Sequence, residues 1–554
     1  MTLTLSRRTP WHPVTLMLTL ALWLATAGNL PLWRVIWQLP ETQGWHALLT
    51  MISLVLAMLA FTVAVLCLLV WPRWLKPVAV LLLALAASSS YFMQSYGVVI
   101  DPSMIANVMN TNTSEALDLL SWSMLWTLGL GLVLPGLWLW RQPVRPVGGR
   151  RLLGQQLGTT VLALALAVVL LWLSFQDLAS LMRNHKSLRY MINPYNTVYA
   201  LVRHGVGQAE RSQQALQPLG EDAHVVLPVG QPGTAPLIVV VVGETARADN
   251  FGLGGYARDT TPELRQLQGE GDLVYYSQVS SCGTNTETSV PCMFSHLGRK
   301  DYVGNGARYE NLLDVLQRAG LAVLWLDNQA GCKGVCDRVP HADTREQQGT
   351  ALCDGDECLD EALLHLLPAQ LAKLDPAKRA RGTVVVLHQM GSHGPAYFKR
   401  STPALKAFLP ECNSNALQDC PTQQLVNAYD NSLRYTDHFL AQTIHWLQTQ
   451  GPGQPTALMY VSDHGESLGE KGLYLHGMPY ALAPQEQTHV PMVMWLSKTM
   501  QQQRGLKMSC AQAQANKPWS HDNLFHTVLD LSGVETRVAQ AKLDMLSVCD
   551  RKLL

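Results

Sequence analysis

The sequence predicts a two-part protein, an N-terminal domain of five transmembrane helices joined to a C-terminal α/β domain with a mostly parallel sheet. Three observations carry this reading. Apolar runs crowd the chain before about residue 178. Short β-branched runs alternate with helical stretches beyond about residue 236. Ten of the eleven cysteines fall in that later part. The predicted division is 1–178 for the membrane domain, 179–235 for an amphipathic bridging helix and linker, and 236–554 for the soluble domain.

A helix needs roughly 20 apolar residues to cross a hydrocarbon core. Five runs are long enough, over 14–33, 46–71, 77–99, 120–140 and 158–176, and twelve of the sixteen tryptophans lie before residue 180. Many sit near the ends of those runs, where amphipathic rings meet a bilayer interface. Arg7 and Arg8 precede the first run, Arg73 and Lys76 follow the second, and Arg141, Arg145, Arg150 and Arg151 follow the fourth, whereas "ETQGWH" and "DPSMIANVMNTNTSEALD" contain no Lys or Arg. The positive-inside rule places the N-terminus in the cytoplasm, and an odd number of spans places the soluble domain outside.

The cysteines agree. Cys67 lies in a span, and the others form close pairs, Cys282/Cys292, Cys332/Cys336, Cys353/Cys358 and Cys412/Cys420, with Cys510 and Cys549 left over. In an oxidising compartment this reads as five disulfides. Formal net charge is zero, so whole-chain charge gives no argument for a nucleic-acid partner.

Beyond the last span, "QDLASLMRNHKSLRYMINPYNTVYALVRHG" mixes apolar residues with Arg183, Lys186, Arg189 and Arg203, as in a helix lying on a membrane surface or a solvated linker helix. The runs "APLIVVVVGE", "LAVLWLDN", "GTVVVLHQ", "TALMYVSDHGE" and "THVPMVMWL" then read as buried parallel strands. Ligands of such sheets collect beyond the carboxyl ends of the strands. Glu244 ends the first run, His388 the third with His393 five residues on, and Asp463-His464 the fourth, while a hydroxyl-rich loop follows the strand-like "LVYYSQVSS".

A carboxylate and an imidazole on adjacent residues leaving a strand suit a divalent metal with oxygen and nitrogen ligands, which favours zinc. Glu244, after five apolar residues, is a third ligand or a helix-start residue. The loop "SCGTNTETSVPCMFS" brackets three threonines with two cysteines. A threonine hydroxyl becomes a useful nucleophile when a metal activates it, and Thr284, Thr286 and Thr288 are the candidates. Thr286 reads equally as the N-cap of a helix that follows, whose free N–H groups would favour a phosphoryl group. His393, His476 and His489, each near Gly or Pro, are further candidates, and Lys333 is a point charge inside a tight Cys332/Cys336 bridge. Asn107, Thr111 and Glu115 stand at i, i+4 and i+8 in an exterior loop; on one helix they share a face, where a carboxylate could bind an ammonium head group.

Taken together, "GETARADNFGLGGY", "SCGTNTETSVPCMFS", "SDHGESLGEKGLYLHGMPY" and "THVPM" resemble the phosphoethanolamine transferases of the Gram-negative inner membrane, and particularly the lipid A type that includes the mobile colistin-resistance enzymes. The resemblance implies an alkaline-phosphatase-like (sulfatase-like) soluble domain facing the periplasm. It implies one Zn2+, with room for a second, held by Glu244, Thr286, Asp463 and His464, with Thr286 as nucleophile. It places His393, His476, Lys333 and Glu466 around the substrate, and Asn107, Thr111 and Glu115 toward the lipid. The implied reaction moves phosphoethanolamine from phosphatidylethanolamine to lipid A through a phosphoethanolamine–threonine intermediate, releasing diacylglycerol. The added amine offsets surface charge and weakens attack by polymyxin and other cationic peptides. An inner-core sugar (heptose or Kdo) or another glycan is the alternative acceptor, and a membrane-anchored phosphatase or sulfatase the alternative activity. The chain is expected to act as a monomer.

Overall fold

The computed structural model describes residues 9–42, 44–111, 113–212, 215–226, 235–303, 306–347, 351–354, 357–451 and 453–549; Arg7 and Arg8 lie outside them. The chain forms two compact units, one of Met1–Ile105 and Leu120–Gly205, the other of Ala106–Leu119 and Val206–Leu554.

Among the described residues of the first unit, five helices are long and apolar enough to cross a membrane: Pro13–Gln38, Leu48–Leu69, Pro72–Ser95, Trp122–Trp140 and Gly149–Leu173. The fifth begins well before the apolar run at 158, because Arg150, Arg151, Gln155 and Gln156 continue a helix as readily as Leu does. Hydropathy marks the stretch that meets lipid, not the whole helix. Beyond the spans, helices Phe175–Asn184 and Tyr195–Ser212 flank a 3-10 turn, Lys186–Met191. Leu178, Leu181, Leu188 and Met191 turn inward, so this segment is amphipathic. A reciprocal pair fastens it to the bundle: Asn29 Nδ2 donates to Asn193 O (2.7 Å), and Asn193 N donates to Asn29 Oδ1 (2.8 Å). Both asparagines are buried, where a paired backbone and amide group avoids the cost of an unsatisfied one.

The second unit is built on seven strands: β1 (Leu237–Gly243), β2 (Leu273–Tyr276), β3 (Ala322–Asp327), β4 (His341–Asp343), β5 (Thr383–His388), β6 (Thr456–Ser462) and β7 (Met492–Leu496). Their order is β2-β7-β6-β1-β5-β3-β4. Pairing is parallel from β6 through β4, and β7 runs antiparallel to both β6 and β2. The valine runs explain the centre: β1 and β5 are buried on both faces, and each buried Val gains roughly 1.5–3 kcal/mol over an exposed one.

Helices cover both faces: α1 (Pro262–Gly269), α2 (Thr286–Met293), α3 (Leu312–Arg318), α4 (Glu361–Lys373), α5 (Thr422–Gln448) and α6 (Leu524–Leu531). Val240, Val242 and Trp325 pack with Val290 of α2, Leu316 of α3 and Phe525 of α6. Val239, Val241 and Leu324 face the other way, toward Leu264 of α1, Leu367 of α4 and Leu440 of α5. This alternation is the period-two direction of strand side chains. The sheet therefore sits between two helical layers, the α/β sandwich that the sequence predicts.

Five disulfides close the soluble part: Cys282–Cys292, Cys332–Cys336, Cys353–Cys358, Cys412–Cys420 and Cys510–Cys549. Cys67 is a free, buried thiol. The last bridge spans 39 residues, the largest loop of the five, and loop-closure entropy gives it about 4 kcal/mol of stabilisation. Replacing Cys510 and Cys549 together by Ala is expected to lower the unfolding temperature of the soluble domain by several degrees, in a melt of the full chain under non-reducing conditions; an unchanged melt would refute that contribution.

Candidate active site

The register of the sheet brings distant residues side by side. Val242 pairs with Val461 on one side and with His388 on the other, and His388 pairs with Asp327. The next residues out, Glu244 after β1 and Asp463-His464 after β6, therefore leave the sheet together, with Asp463 N donating to Gly243 O at 2.9 Å.

Their side-chain atoms converge. Glu244 Oε1 and Asp463 Oδ2 each lie 3.3 Å from His464 Nε2, and one donor atom from each residue falls within 4.8 Å of the others. All three residues are at most 1% exposed. His464 Nδ1 is 2.9 Å from Gly465 O. A carbonyl only accepts, so Nδ1 carries a hydrogen and Nε2 is the ring atom left to face the two carboxylates, as a lone pair whenever the ring is neutral. Glu244 Oε1 and Asp463 Oδ2 have no hydrogen-bond donor among the described residues. Three lone-pair donors thus face one another in a site closed to water, an arrangement that fits a divalent cation.

Burial, with repulsion from Glu244, raises the Asp463 carboxyl to about 7. Burial would lower the His464 imidazole, but the Asp463 charge and the Glu244 contact raise it to about 10. Burial would likewise raise Glu244, yet the hydrogen bond and charge of His464 hold it below the ordinary carboxylate range. Without a metal, a proton on His464 Nε2 supplies positive charge beside the carboxylates; a divalent cation bound there would take its place.

Thr286 completes the group. Its Oγ1 donates to Glu244 Oε2 (3.1 Å) and lies 3.5 Å from His464 Nε2. It is the first residue of α2; the N-cap is Asn285, whose side chain accepts from Thr288 N. The Thr284 hydroxyl donates instead to Met478 O (2.6 Å), and Thr288 packs beneath Gly283, where a Cβ would come within 2.9 Å of it. Cys282–Cys292 closes the loop that holds Thr286.

The other candidates divide. The His476 ring is 4.2 Å from His464 and 5.7 Å from His393, and His476 Nδ1 is 3.4 Å from Glu466 Oε2. Burial, with the charge of His464, lowers His476 to about 3, and burial holds Glu466 well above the ordinary carboxylate range. His476 thus stands beside the cluster of Glu244, Asp463 and His464, with His393 and Glu466 next to it. Lys333, in a left-handed conformation at φ 51, points its ammonium at Ala330 O (2.9 Å). His489 serves the backbone, with Nε2 2.8 Å from Ser277 O and Nδ1 3.6 Å from Asp249.

The loop that carries Asn107, Thr111 and Glu115 is two short helices, Pro102–Asn110 and Thr113–Asp118, rather than one. Asn107 lies in the first, Thr111 Oγ1 bonds back to Asn107 O (2.8 Å) at the break, and the Glu115 side chain lies outside the described residues. Asp118, which the sequence does not single out, is bound by Lys399 Nζ (2.7 Å) and by Asn415 Nδ2 through its carbonyl (2.8 Å). The neighbouring Arg400 donates to His393 O (3.0 Å), so this loop segment is fastened to the same stretch as His393.

Gly391 is a second residue without a sequence signal. It has φ +53, and a Cβ there would lie 2.7 Å from Glu244 O and 3.0 Å from Glu244 N. Gly391→Ala is expected to shift the Glu244 backbone and reduce tightly bound metal per chain roughly tenfold or more, measured by elemental analysis after dialysis. Full metal content would show that Glu244 tolerates the displacement.

Residues 236–534 match the family described as Sulfatase, and residues 58–209 the family described as Phosphoethanolamine transferase EptA/EptB. Phosphoethanolamine transferase EptA of Salmonella typhimurium is 41% identical over 482 residues, 86% of each chain. Phosphatidylethanolamine transferase Mcr-2 of Escherichia coli is 38% identical over 501 residues, 88% of this chain and 90% of that one. Among solved structures, the integral membrane lipooligosaccharide phosphoethanolamine transferase A of Neisseria meningitidis superposes with a TM-score of 0.91 at 35% identity, covering 97% of this chain and 99% of that one.

Proposed function

The chain belongs to the phosphoethanolamine transferase family, and from that premise we propose that it transfers phosphoethanolamine from phosphatidylethanolamine to lipid A, releasing diacylglycerol. The observation that carries this is the Thr286 hydroxyl, 3.1 Å from Glu244 Oε2, beside three converging lone-pair donors. Glu244, Asp463, His464 and Thr286 Oγ1 would hold one zinc ion, since two carboxylates, an imidazole and a hydroxyl make a mixed oxygen and nitrogen set. Zinc bound there lowers the pKa of a hydroxyl and offsets charge on a phosphoryl oxygen.

The chain's own residues do the rest. Glu244 Oε2 takes the hydroxyl hydrogen bond and turns the Thr286 oxygen lone pair outward. The α2 N-terminus favours the anionic phosphoryl group. The Thr286 oxygen bonds to phosphorus as the bond from phosphorus to the diacylglycerol oxygen breaks, and the proton that Thr286 gives up passes, by way of the His393 side of the site, to that leaving oxygen. A protonated lipid A phosphate then bonds through its oxygen to phosphorus as the bond from phosphorus to the Thr286 oxygen breaks, and the acceptor's proton passes to the departing Thr286 oxygen. Asn107, Thr111 and Glu115 are assigned to the donor lipid, Lys333 and Glu466 to the transferred group.

Loops rich in Lys and Arg on one side of the five spans support an inner-membrane protein with a cytoplasmic N-terminus and a periplasmic soluble domain. Transfer to lipid A would lower surface charge and protect against polymyxin.

Hydrolysis is the second reading, favoured by the Sulfatase match over residues 236–534. The two part on product: with fluorescent phosphatidylethanolamine and purified lipid A, transfer gives modified lipid A by mass spectrometry, and hydrolysis gives free phosphoethanolamine or phosphate. Thr286→Ala is expected to lower transfer at least about a thousandfold, with Thr284→Ala and Thr288→Ala far milder. Wild-type transfer by Thr286→Ala would overturn the assignment.

Metal removal tests the cofactor. Dialysis against a chelator is expected to abolish transfer by the wild type, and added Zn2+ to restore it; undiminished activity after zinc has been stripped would refute the zinc site.

A further inference from the structure

We propose that Gln329 is a positioning residue that fixes which oxygen of Glu244 faces the metal. This rests on reading Glu244, Asp463 and His464 as the metal site.

A carboxylate can turn to present either oxygen. Here the two oxygens are already distinguished. Oε2 accepts from Gln329 Nε2 (2.9 Å) and from Thr286 Oγ1 (3.1 Å). Oε1 has no donor among the described residues and faces His464 Nε2. Gln329 is 4% exposed, so bulk water does not readily stand in for its amide.

The amide itself cannot flip without loss. Its Oε1 accepts from Ala330 N, and a carboxylate only accepts, so the NH2 end belongs at Glu244. The backbone beneath is anchored by Asp327, whose Oδ1 accepts from Gln329 N (2.8 Å) and Gly331 N (3.2 Å). Asp327 Oδ2 accepts from Trp325 Nε1 (2.8 Å) and lies 3.0 Å from His388 Nδ1. Cys332–Cys336 closes the loop a few residues on. Gln329 is thus presented by a loop fixed at both ends.

The transfer chemistry gives the bond its use. Once the Thr286 oxygen has bonded to phosphorus, its hydrogen no longer reaches Glu244 Oε2. Gln329 is then the remaining side-chain donor, among the described residues, that keeps Oε2 occupied and Oε1 turned to the cation. Outer hydrogen bonds of this kind are worth about 10- to 100-fold in metal affinity.

The test is Zn2+ affinity of the full chain in detergent, by competition with a chromophoric chelator. Gln329→Met, of similar shape but with no donor, is expected to weaken binding about 10- to 100-fold. The loss should be larger in a Thr286→Ala background, where Glu244 Oε2 has no other donor; a role in folding alone would not produce that coupling. Should Gln329→Met fail to fold, Gln329→Glu, which sets a carboxylate against Glu244, decides in the same titration. Unchanged affinity in the folded variant, with Glu244→Ala losing zinc, would overturn the positioning role alone. Unchanged affinity in Glu244→Ala as well would overturn the metal site beneath it.

Discussion

Two carboxylates and an imidazole lone pair, buried within a few ångströms of one another, are the constraint around which the soluble domain is organised. Isolated buried charges of one sign are expensive, and proteins neutralise them with a partner or a metal. Glu244, Asp463 and His464 have no Lys or Arg among their hydrogen-bond or ion-pair partners in the described residues. The cost of assembling them is met by the surrounding fold, and the proposed zinc ion would offset the repulsion that remains.

That dependence explains why so much of the chain serves a few atoms. β1 and β6 run parallel and adjacent, so Glu244 and Asp463 emerge in register. Gly391 lets the next loop press against the Glu244 backbone, and Ser392 N donates to Glu244 O (3.0 Å). Asp360 ties down that loop in turn, accepting from Met390 N (2.7 Å) and Gly391 N (3.0 Å). Arg299 stacks over Tyr480 and its Nε donates to Cys282 O (3.0 Å), which steadies the threonine loop. Each contact is modest, but together they hold geometry to the tolerance that positioned catalysis requires.

What the sequence disclosed follows from how local each signal is. Runs such as "LIVVVVG" mark buried strands by themselves, and their ends mark where ligands gather, so Glu244, Asp463 and His464 were legible. β4 was not, because His341–Asp343 is three residues long and carries no apolar run. "TNTET" gives three equivalent threonines; only the loop's folded path sends Thr284 to Met478 O and Thr286 to Glu244. The spacing of Asn107, Thr111 and Glu115 suits one helix, but the chain breaks at Thr111, which no periodicity announces. Gln329 and Gly391 are common residues whose roles exist only through contacts made some 85 and 147 positions away in the chain, to Glu244.

In the proposed reaction, the phosphothreonine ester has two fates, attack by lipid A or attack by water. The phosphoryl chemistry does not separate them, since the same nucleophile and metal serve a hydrolase equally well. What separates them is local concentration. The spans confine the catalyst to the interface where the acceptor lipid is abundant, so the second step is a short search rather than a bimolecular encounter in bulk. Glu244, Asp463 and His464 are at most 1% exposed and Thr286 4%, which limits competing water. The Asp118 contacts add a further element: they join the lipid-assigned loop to Lys399 and, through the next residue, to His393. A soluble hydrolase has no use for such a fastening. A transferase whose two substrates are both lipids does, because whatever binds the head group must keep its distance to the nucleophile through both steps.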